Sequence, residues 1–385
     1  MNIMADETKY KVVAKSLEND IRAGKYAGRS LPSEAQLVRQ FGVGRKTVQR
    51  AILELQYQGL VVRRQGKGTF LSNLGKRTTG LLGLLIPDAS SATIFQSFSR
   101  EIARVGQNAG YTFLFGEAAV GDADSVALQT RKFARDFAAR HVEGIIFRPL
   151  VDEGYEKVNL EIAGIFKKVG IPLVLIDSDI VSSPKRSEFD IVGINNIVAG
   201  QRIADHLFGL GRRRIAFLMD ASPLGFSVNL RSRLFGLAGA VLAAGVEWNA
   251  KHVLTVRADD VAGIRRSICR RYSPDAIVCA NDAVAIRLMQ TLSFLGKRVP
   301  EDIAVVGCDG IDSSRLSVPS LTTIHQPVEQ IAEQAFRALM SRIRNTTGGN
   351  PREILLDAPL VARSSTIGSN SCARKIRIRK GIITS

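Results

Sequence analysis

Two short basic stretches carry the residue types that hold phosphate: GVGRKT at 42–47 and RRQGKGTF at 63–70. Glycine lets a backbone approach an anion closely, and Lys, Arg and Thr supply donors. A mononucleotide loop needs G-x-x-x-x-G-K-[ST], but here Arg45 separates Gly44 from Lys46. A dinucleotide loop needs G-x-G-x-x-G, and Thr47 stands where the third glycine belongs. Neither stretch follows an apolar strand, which both motifs require. The phosphates these residues suit are those of a nucleic acid, not of a bound nucleotide.

The surrounding pattern supplies elements to position them. Val48, Ala51, Ile52 and Leu55 fall at i, i+3, i+4 and i+7, which predicts a helix from Arg45 to Gln58, stopped by Gly59. Arg45 and Gln49 share one of its faces, Lys46 and Arg50 another. VVRR and GTFL read as two short strands joined by Gln65, Gly66, Lys67 and Gly68, a turn with a basic tip. Upstream, LPSEAQLVRQFGV opens a helix with Ser33 as its cap and Ala35, Leu37, Val38 and Phe41 as its buried face. Before it, KVVAKSLENDIRAG places Val13, Leu17 and Ile21 on one stripe, with Asp20 at its edge. Three helices and a hairpin in about 65 residues describe a winged helix-turn-helix.

Residues 9–72 resemble the DNA-binding domain of GntR-type bacterial regulators. The resemblance rests on LPSE at 31–34, VGRKTVQRAI at 43–52, Gly59-Leu60, and the wing RRQGKGTF at 63–70. Gly44 stands where the family has a capping Ser, and Gln49 where it has an Arg, with an extra Arg following as Arg50. The resemblance implies DNA contacts from Ser33, Glu34, Arg45, Lys46, Thr47, Gln49 and Arg50, and from Gln65, Gly66, Lys67 and Gly68 of the wing. Chemistry agrees. An Arg at the start of a recognition helix can grip guanine in a bidentate way, and a Thr hydroxyl with helix N-terminal amides suits phosphate. The two departures leave the operator sequence open.

Charge is distributed to match. Of the net +17, residues 1–75 carry +7 and residues 370–385 carry +5. A basic N-terminal domain suits a polyanionic partner. The terminal RKIRIRK at 374–380 reads as a solvated tail. No apolar run approaches the length of a membrane span, and the N-terminus lacks the apolar core of a leader, so the expected place is the cytoplasm, away from membranes. Cys269, Cys279, Cys308 and Cys372 show no C-x-x-C spacing, and the four histidines are scattered. Neither a disulfide framework nor a metal site is expected, and no cofactor.

From about residue 80 apolar strand-like runs alternate with amphipathic helical segments: LLGLLIP, TFLFGE, GIIFRP, LVLID, IVGIN, RIAFLM, HVLTV, AIVCA and IAVVGCD. Repeated βαβ units imply parallel sheets covered on both faces, and nine strands fit two lobes better than one open sheet. This part resembles the effector domain of LacI-type repressors, which is related to periplasmic sugar-binding proteins. The marks are LLGLLIPD at 81–88, LVLIDSD at 173–179, VGINNIVAGQRIADHLFGLGRRRIAFL at 192–218, RSRLFG at 231–236, AIVCANDAVAI at 276–286, VPEDIAVVGCDG at 299–310 and PSLTTIHQP at 319–327. The expected fold is therefore α/β. A winged helix-turn-helix (1–72) and a linker (73–80) precede a two-lobed type I periplasmic-binding-protein-like domain (81–366) of two doubly wound parallel sheets, and a basic tail (367–385) ends the chain.

The resemblance implies a ligand between the lobes, where strand ends meet loops. Arg233 matches the family's main ligand donor, Asp309 its hydroxyl acceptor, and Asn281 and Asp282 an Asn-Asp pair at a helix start. Such a set suits a polyol. Phe95 or Phe226 could stack on a sugar's apolar face. Asp88 and Asp177 read first as capping or loop residues, and Gln326 is a further candidate. The pairing of reader and sensor resembles the arabinose-repressor type of bacterial regulator, although SNLGKRTTG shows no LacI-type hinge helix. No G-x-S-x-G and no metal cluster supports an enzyme. The expected protein is a homodimeric regulator of carbohydrate-utilisation genes. It represses them on a double-stranded operator and answers to a small sugar. A purine or other non-sugar ligand, or activation, stays open.

Overall fold

The computed structural model describes residues 3–22, 25–26, 30–57, 60–64, 68–71, 79–87, 93–118, 122–151, 154–181, 185–220, 227–268, 273–344 and 349–368. Residues 3–71 form α1 (Ile3–Arg22), α2 (Glu34–Phe41), α3 (Arg45–Tyr57) and the hairpin β1 (Val61–Arg64) and β2 (Gly68–Leu71). The helix α1 starts eight residues earlier than its apolar stripe predicts. ADETKY contains no breaker, and its acidic residues favour a helix N-terminus. Leu17, Leu37, Val48, Ile52 and Leu55 make one small core, closed by Leu60 and Val61 at the wing. Ala35, expected inside, is exposed, and Val38 and Phe41 are half-buried. The Leu31 amide donates to Thr69 O at 2.9 Å, which ties the approach to α2 to the outer strand of the wing.

Behind it lie two six-stranded sheets. The first has the order β4-β3-β5-β6-β7-β13, all parallel, from β3 (Leu81–Leu85), β4 (Thr112–Gly116), β5 (Ile145–Phe147), β6 (Leu173–Ile176), β7 (Asp190–Ile194) and β13 (Glu353–Leu356). The second has the order β9-β8-β10-β11-β12-β14, from β8 (Ile215–Leu218), β9 (Val253–Leu254), β10 (Ala276–Cys279), β11 (Ala304–Asp309), β12 (Thr322–His325) and β14 (Leu360–Val361). Its strands are parallel except β14, which runs antiparallel to β12. The two-lobed expectation stands, with that strand as a correction. Three strands absent from the sequence reading, β12, β13 and β14, complete the sheets. They are short, and β13 alternates half-buried with exposed residues as an edge strand does.

The helices are α4 (Thr93–Asn108), α5 (Ala123–Ala139), α6 (Glu156–Val169), α7 (Asn196–Gly209), α8 (Val228–Ala243), α9 (Val261–Arg266), α10 (Asp282–Phe294), α11 (Asp312–Leu316) and α12 (Val328–Ile343). The chain passes between the lobes three times: from β7 to α7, from β12 to α12, and from β13 to β14. One apolar cluster runs through both lobes, with Phe98 and Ile102 of α4, Leu339 of α12, Ile203 of α7 and Leu237 of α8. Separate clusters fill the far face of each sheet. Asp190 pins the first lobe, where Arg342 and Arg352 close on its buried carboxylate at 2.6 and 2.7 Å. Burial would raise this carboxyl, but the hydrogen bonds from Arg342 and Arg352 outweigh it and hold it at about 2.

The helices α7 and α8 meet backbone to backbone. A methyl group on Gly236 would stand 2.0 Å from Ile197 O, and one on Gly200 2.1 Å from Arg233 O. Only glycine at both places allows this crossing. Its effect is to lay the start of α7 against the middle of α8, beside Arg233.

Candidate nucleic-acid interface and inter-lobe site

In the winged domain the Ser33 hydroxyl accepts from the Gln36 amide at 3.3 Å, and Gln36 Oε1 accepts from the Ser33 amide at 2.8 Å. This reciprocal cap sets the direction in which α2 leaves the turn. The next residue, Glu34, gathers three of the other side chains. Its Oε2 accepts from Arg45 Nε at 3.1 Å and Gln49 Nε2 at 3.0 Å, and its Oε1 accepts from an Arg63 Nη at 2.5 Å. Burial pulls the Glu34 carboxyl up. The bonds from Gln49 and Arg45 and the charge of Arg63 outweigh it and leave the group below its usual range.

The carboxylate therefore aligns the first turn of α3 with the wing strand β1. Arg45, Lys46 and Arg50 are exposed, and the Arg50 guanidinium lies 4.5 Å from the Tyr10 ring centre. Thr47 differs from them: it is buried, so its side chain packs into the domain at the start of α3. Gly68 is exposed at φ +107°, a conformation that favours glycine. Gln65, Gly66 and Lys67 lie outside the described residues. Glu34, named at first only through LPSE, is the residue that links reader helix and wing.

The second constellation lies where the carboxyl ends of both sheets face each other. Arg148 follows β5, Asp177 follows β6, Asn281 follows β10, Asp309 ends β11 and Gln326 follows β12. Asn229 of α8 crosses the gap: its Nδ2 donates to Asp177 O and to Ser178 Oγ, both at 3.0 Å. Arg233, one turn further along α8, is 5% exposed. It donates to Ala280 O at 2.6 Å and to Asn196 Oδ1 at 2.8 Å. Its Nε–H finds no partner among the described residues.

Asp309 has φ +124° and is followed by Gly310 at φ +76°. A side chain at Gly310 would run into His325, whose Nδ1 would lie 2.2 Å away. This strained corner turns the Asp309 carboxylate to Gln326, whose Nε2 donates to it at 2.9 Å. Burial, and then the negative charge of Asp282, push the Asp309 carboxyl up to about 7 against the pull of Arg233. Burial also raises Asp177, against the positive charges of Arg148 and Arg233.

Four expected ligand residues are already engaged. Asp282 is fully buried. It accepts from the Thr323 hydroxyl at 2.6 Å and from the amides of Gly310 and Ile311 at 2.8 and 3.0 Å. It holds the turn that carries Asp309 and has no free oxygen for a ligand. Asn281 spends its amide oxygen capping α10, accepting from the Val284 amide at 2.9 Å. Phe95 is 8% exposed, and the Arg148 guanidinium lies 4.2 Å from its ring centre, so a ring face expected for a sugar is occupied. Gln326 is buried and supports Asp309. Asp88 and Phe226 lie outside the described residues.

Arg148, Asn196 and Asn229 were missed. The one signal was in GIIFRP, where a charged residue closes a wholly apolar strand. Asn196 and Asn229 stand on helices, where an Asn gives no sign of its partner across a gap. Among the described residues no helix is long and apolar enough to cross a membrane.

Comparison with known proteins agrees with both halves. Residues 9–71 match the bacterial regulatory proteins of the gntR family, and residues 204–366 match a periplasmic binding protein-like domain. The arabinose metabolism transcriptional repressor of Halalkalibacterium halodurans is 26% identical, over 95% of this chain and 98% of its own. The ribose operon repressor of the same organism is 26% identical, over 90% of this chain and 96% of its own. A solved transcriptional regulator in complex with cellobiose shares the fold. Its TM-score is 0.63 at 24% identity, covering 83% of this chain and 90% of that one. The chain is thus a transcriptional regulator rather than an enzyme, with a gntR-family DNA-binding domain joined to a periplasmic-binding-protein-like domain.

Proposed function

We propose that this regulator represses carbohydrate-utilisation genes and is released from its operator by a small sugar held between the lobes. The observation that carries the reading is the meeting of Arg233, Asp177 and Asp309 at facing strand ends. A buried guanidinium with a spare donor and two carboxyls that accept hydroxyls are the groups a polyol needs. The names of the two relatives, repressors of arabinose metabolism and of a ribose operon, support the same class of effector.

On the DNA side, Arg45 and Gln49 would read base edges from α3, and Lys46, Arg50 and the wing would hold phosphates. Two copies would place two winged domains on two half-sites of an operator, in the cytoplasm where the DNA lies. A sugar bridging the lobes would favour one lobe arrangement over another. The linked change in DNA affinity is of the order of 1–3 kcal/mol, or about 5- to 150-fold.

The test is fluorescence anisotropy of the full-length protein on DNA from upstream of its own gene, at fixed moderate salt. Salt is fixed because basic proteins bind any DNA when salt is low. Release of a sequence-specific complex by one pentose or hexose supports the reading. A specific complex that no sugar alters removes the sugar from it, and binding no tighter than to random DNA removes the operator.

A further inference from the structure

Arg148 is the group in the gap that the reading above leaves without a task. It follows β5 of the first lobe, and both it and Arg233 of the second act on the Asp177 carboxyl. It is 6% exposed, and its Nε–H finds no hydrogen-bond partner among the described residues. Asp177 forms an ion pair with it, but Oδ2 stands 3.7 Å from that Nε, too long for a hydrogen bond. The ring of Phe95 under the guanidinium fixes its plane without satisfying any N–H. A buried donor without a hydrogen bond on a charged group is costly, and among the described residues there are two, one on each lobe.

Two guanidinium groups and two carboxyls face the gap. Arg148 and Arg233 supply two positive charges, and Asp177 supplies one negative charge between them. Asp309 is the second carboxyl, pushed up to about 7 by burial and then by the charge of Asp282. Asp282 is turned to Thr323 and the backbone of Gly310 and Ile311, with Arg363 as its nearby positive charge. A neutral sugar would offer the two unpartnered Nε–H groups uncharged acceptors only. A carboxylate offers two acceptor oxygens in a plane, which is the geometry a guanidinium edge fits best.

We propose that Arg148 is a specificity-determining ligand residue, and that the effector is an acidic sugar whose anionic group lies between Arg148 and Arg233. This rests on the reading of the gap as the effector site. The shared chemistry is a polyhydroxylated anion, and its source is a carboxylate, as in uronic and aldonic acids, or a phosphate ester.

The experiment is titration calorimetry of the full-length protein with paired ligands: galacturonate against galactose, gluconate against glucose, and glucose 6-phosphate as the phosphate arm. For at least one pair the acid is expected to bind at least about tenfold more tightly than its neutral parent, the effect of one charge-assisted hydrogen bond. Arg148→Gln should abolish that difference between acid and parent, whatever the affinity of the neutral sugar for the variant. Arg148→Lys, which keeps the charge, should retain part of it and guards against a folding defect in the Gln variant. Tighter binding of the phosphate than of either carboxylate assigns the anion as a phosphate ester. Equal binding of acid and neutral sugar, or a preference that survives Arg148→Gln, overturns the proposal and leaves the sugar reading intact. If no ligand of either kind binds, this proposal falls, and the sugar reading is decided by the anisotropy test with pentoses and hexoses.

Discussion

The crossing of α7 and α8 offers a sharp test, because two glycines three residues apart on one helix should respond in opposite directions. Gly236→Ala puts a methyl group 2.0 Å from Ile197 O and 2.8 Å from Ile197 C. Both are backbone atoms, so no side chain can swing away. Restoring ordinary contact requires the helices to part by roughly 1 Å, and overpacking of this kind costs about 1–3 kcal/mol. The better helix propensity of Ala returns only about 0.5–1 kcal/mol. The net effect is a loss of up to about 2.5 kcal/mol. Gly239→Ala meets nothing within 4 Å and should be neutral or stabilising by up to about 1 kcal/mol.

The crossing also sets the distance between Arg233 and Asn196, now 2.8 Å. A separation of about 1 Å breaks that hydrogen bond and moves the guanidinium. Gly236→Ala should therefore weaken ligand-induced release of DNA, while DNA binding by residues 3–71 persists. The assay is urea unfolding of the three proteins, followed by anisotropy on operator DNA with and without ligand. Equal stability of the Gly236 and Gly239 variants, or an undiminished ligand response in the former, would refute the argument.

Other expectations follow from single groups. Arg45→Ala should weaken operator binding by about 1–3 kcal/mol and relax base preference at one position, measured at constant salt. Unchanged affinity would remove Arg45 from the interface. Arg233→Ala should abolish the ligand response and leave operator binding intact. Loss of both functions, or of neither, would count against its assignment to the ligand. For Asp309 the sign is fixed by its raised value of about 7. The folded protein keeps a proton that the unfolded chain releases above about pH 4, so this group's contribution to stability is present at low pH and lost as pH rises through 7. Ligand affinity should move the other way if the carboxylate accepts a hydroxyl, falling towards tenfold per unit as pH drops below about 7. A flat affinity from pH 6 to 8 would exclude that role, and Asp309→Asn should remove the dependence.

Much of this protein was legible because its elements are locally encoded. The stripe Val48, Ala51, Ile52 and Leu55 defines α3, and all four are buried. Ser33 was expected as a cap and makes the reciprocal bond with Gln36. The nine apolar runs all became strands, since a strand buried on both faces must be apolar throughout. The edge strands β13 and β14 escaped notice because a half-exposed strand needs no such run.

The sequence by itself determined the reader, the two-sheet sensor, and Arg233 and Asp309 as residues of interest, through periodicity and motif spacing. Only the tertiary structure decided what those residues face. Asp282 looked like a ligand group and is consumed by the turn before α11. Phe95 looked like a sugar platform and carries Arg148 instead. Arg148, Asn229 and Glu34 gained their importance from partners 29, 51 and 29 positions away for Asp177, Ser178 and Arg63. Local pattern records which face of an element is buried. It does not record which side chain from another element will meet it, because that follows from how helices and sheets pack, and here from two glycines that let α7 and α8 touch.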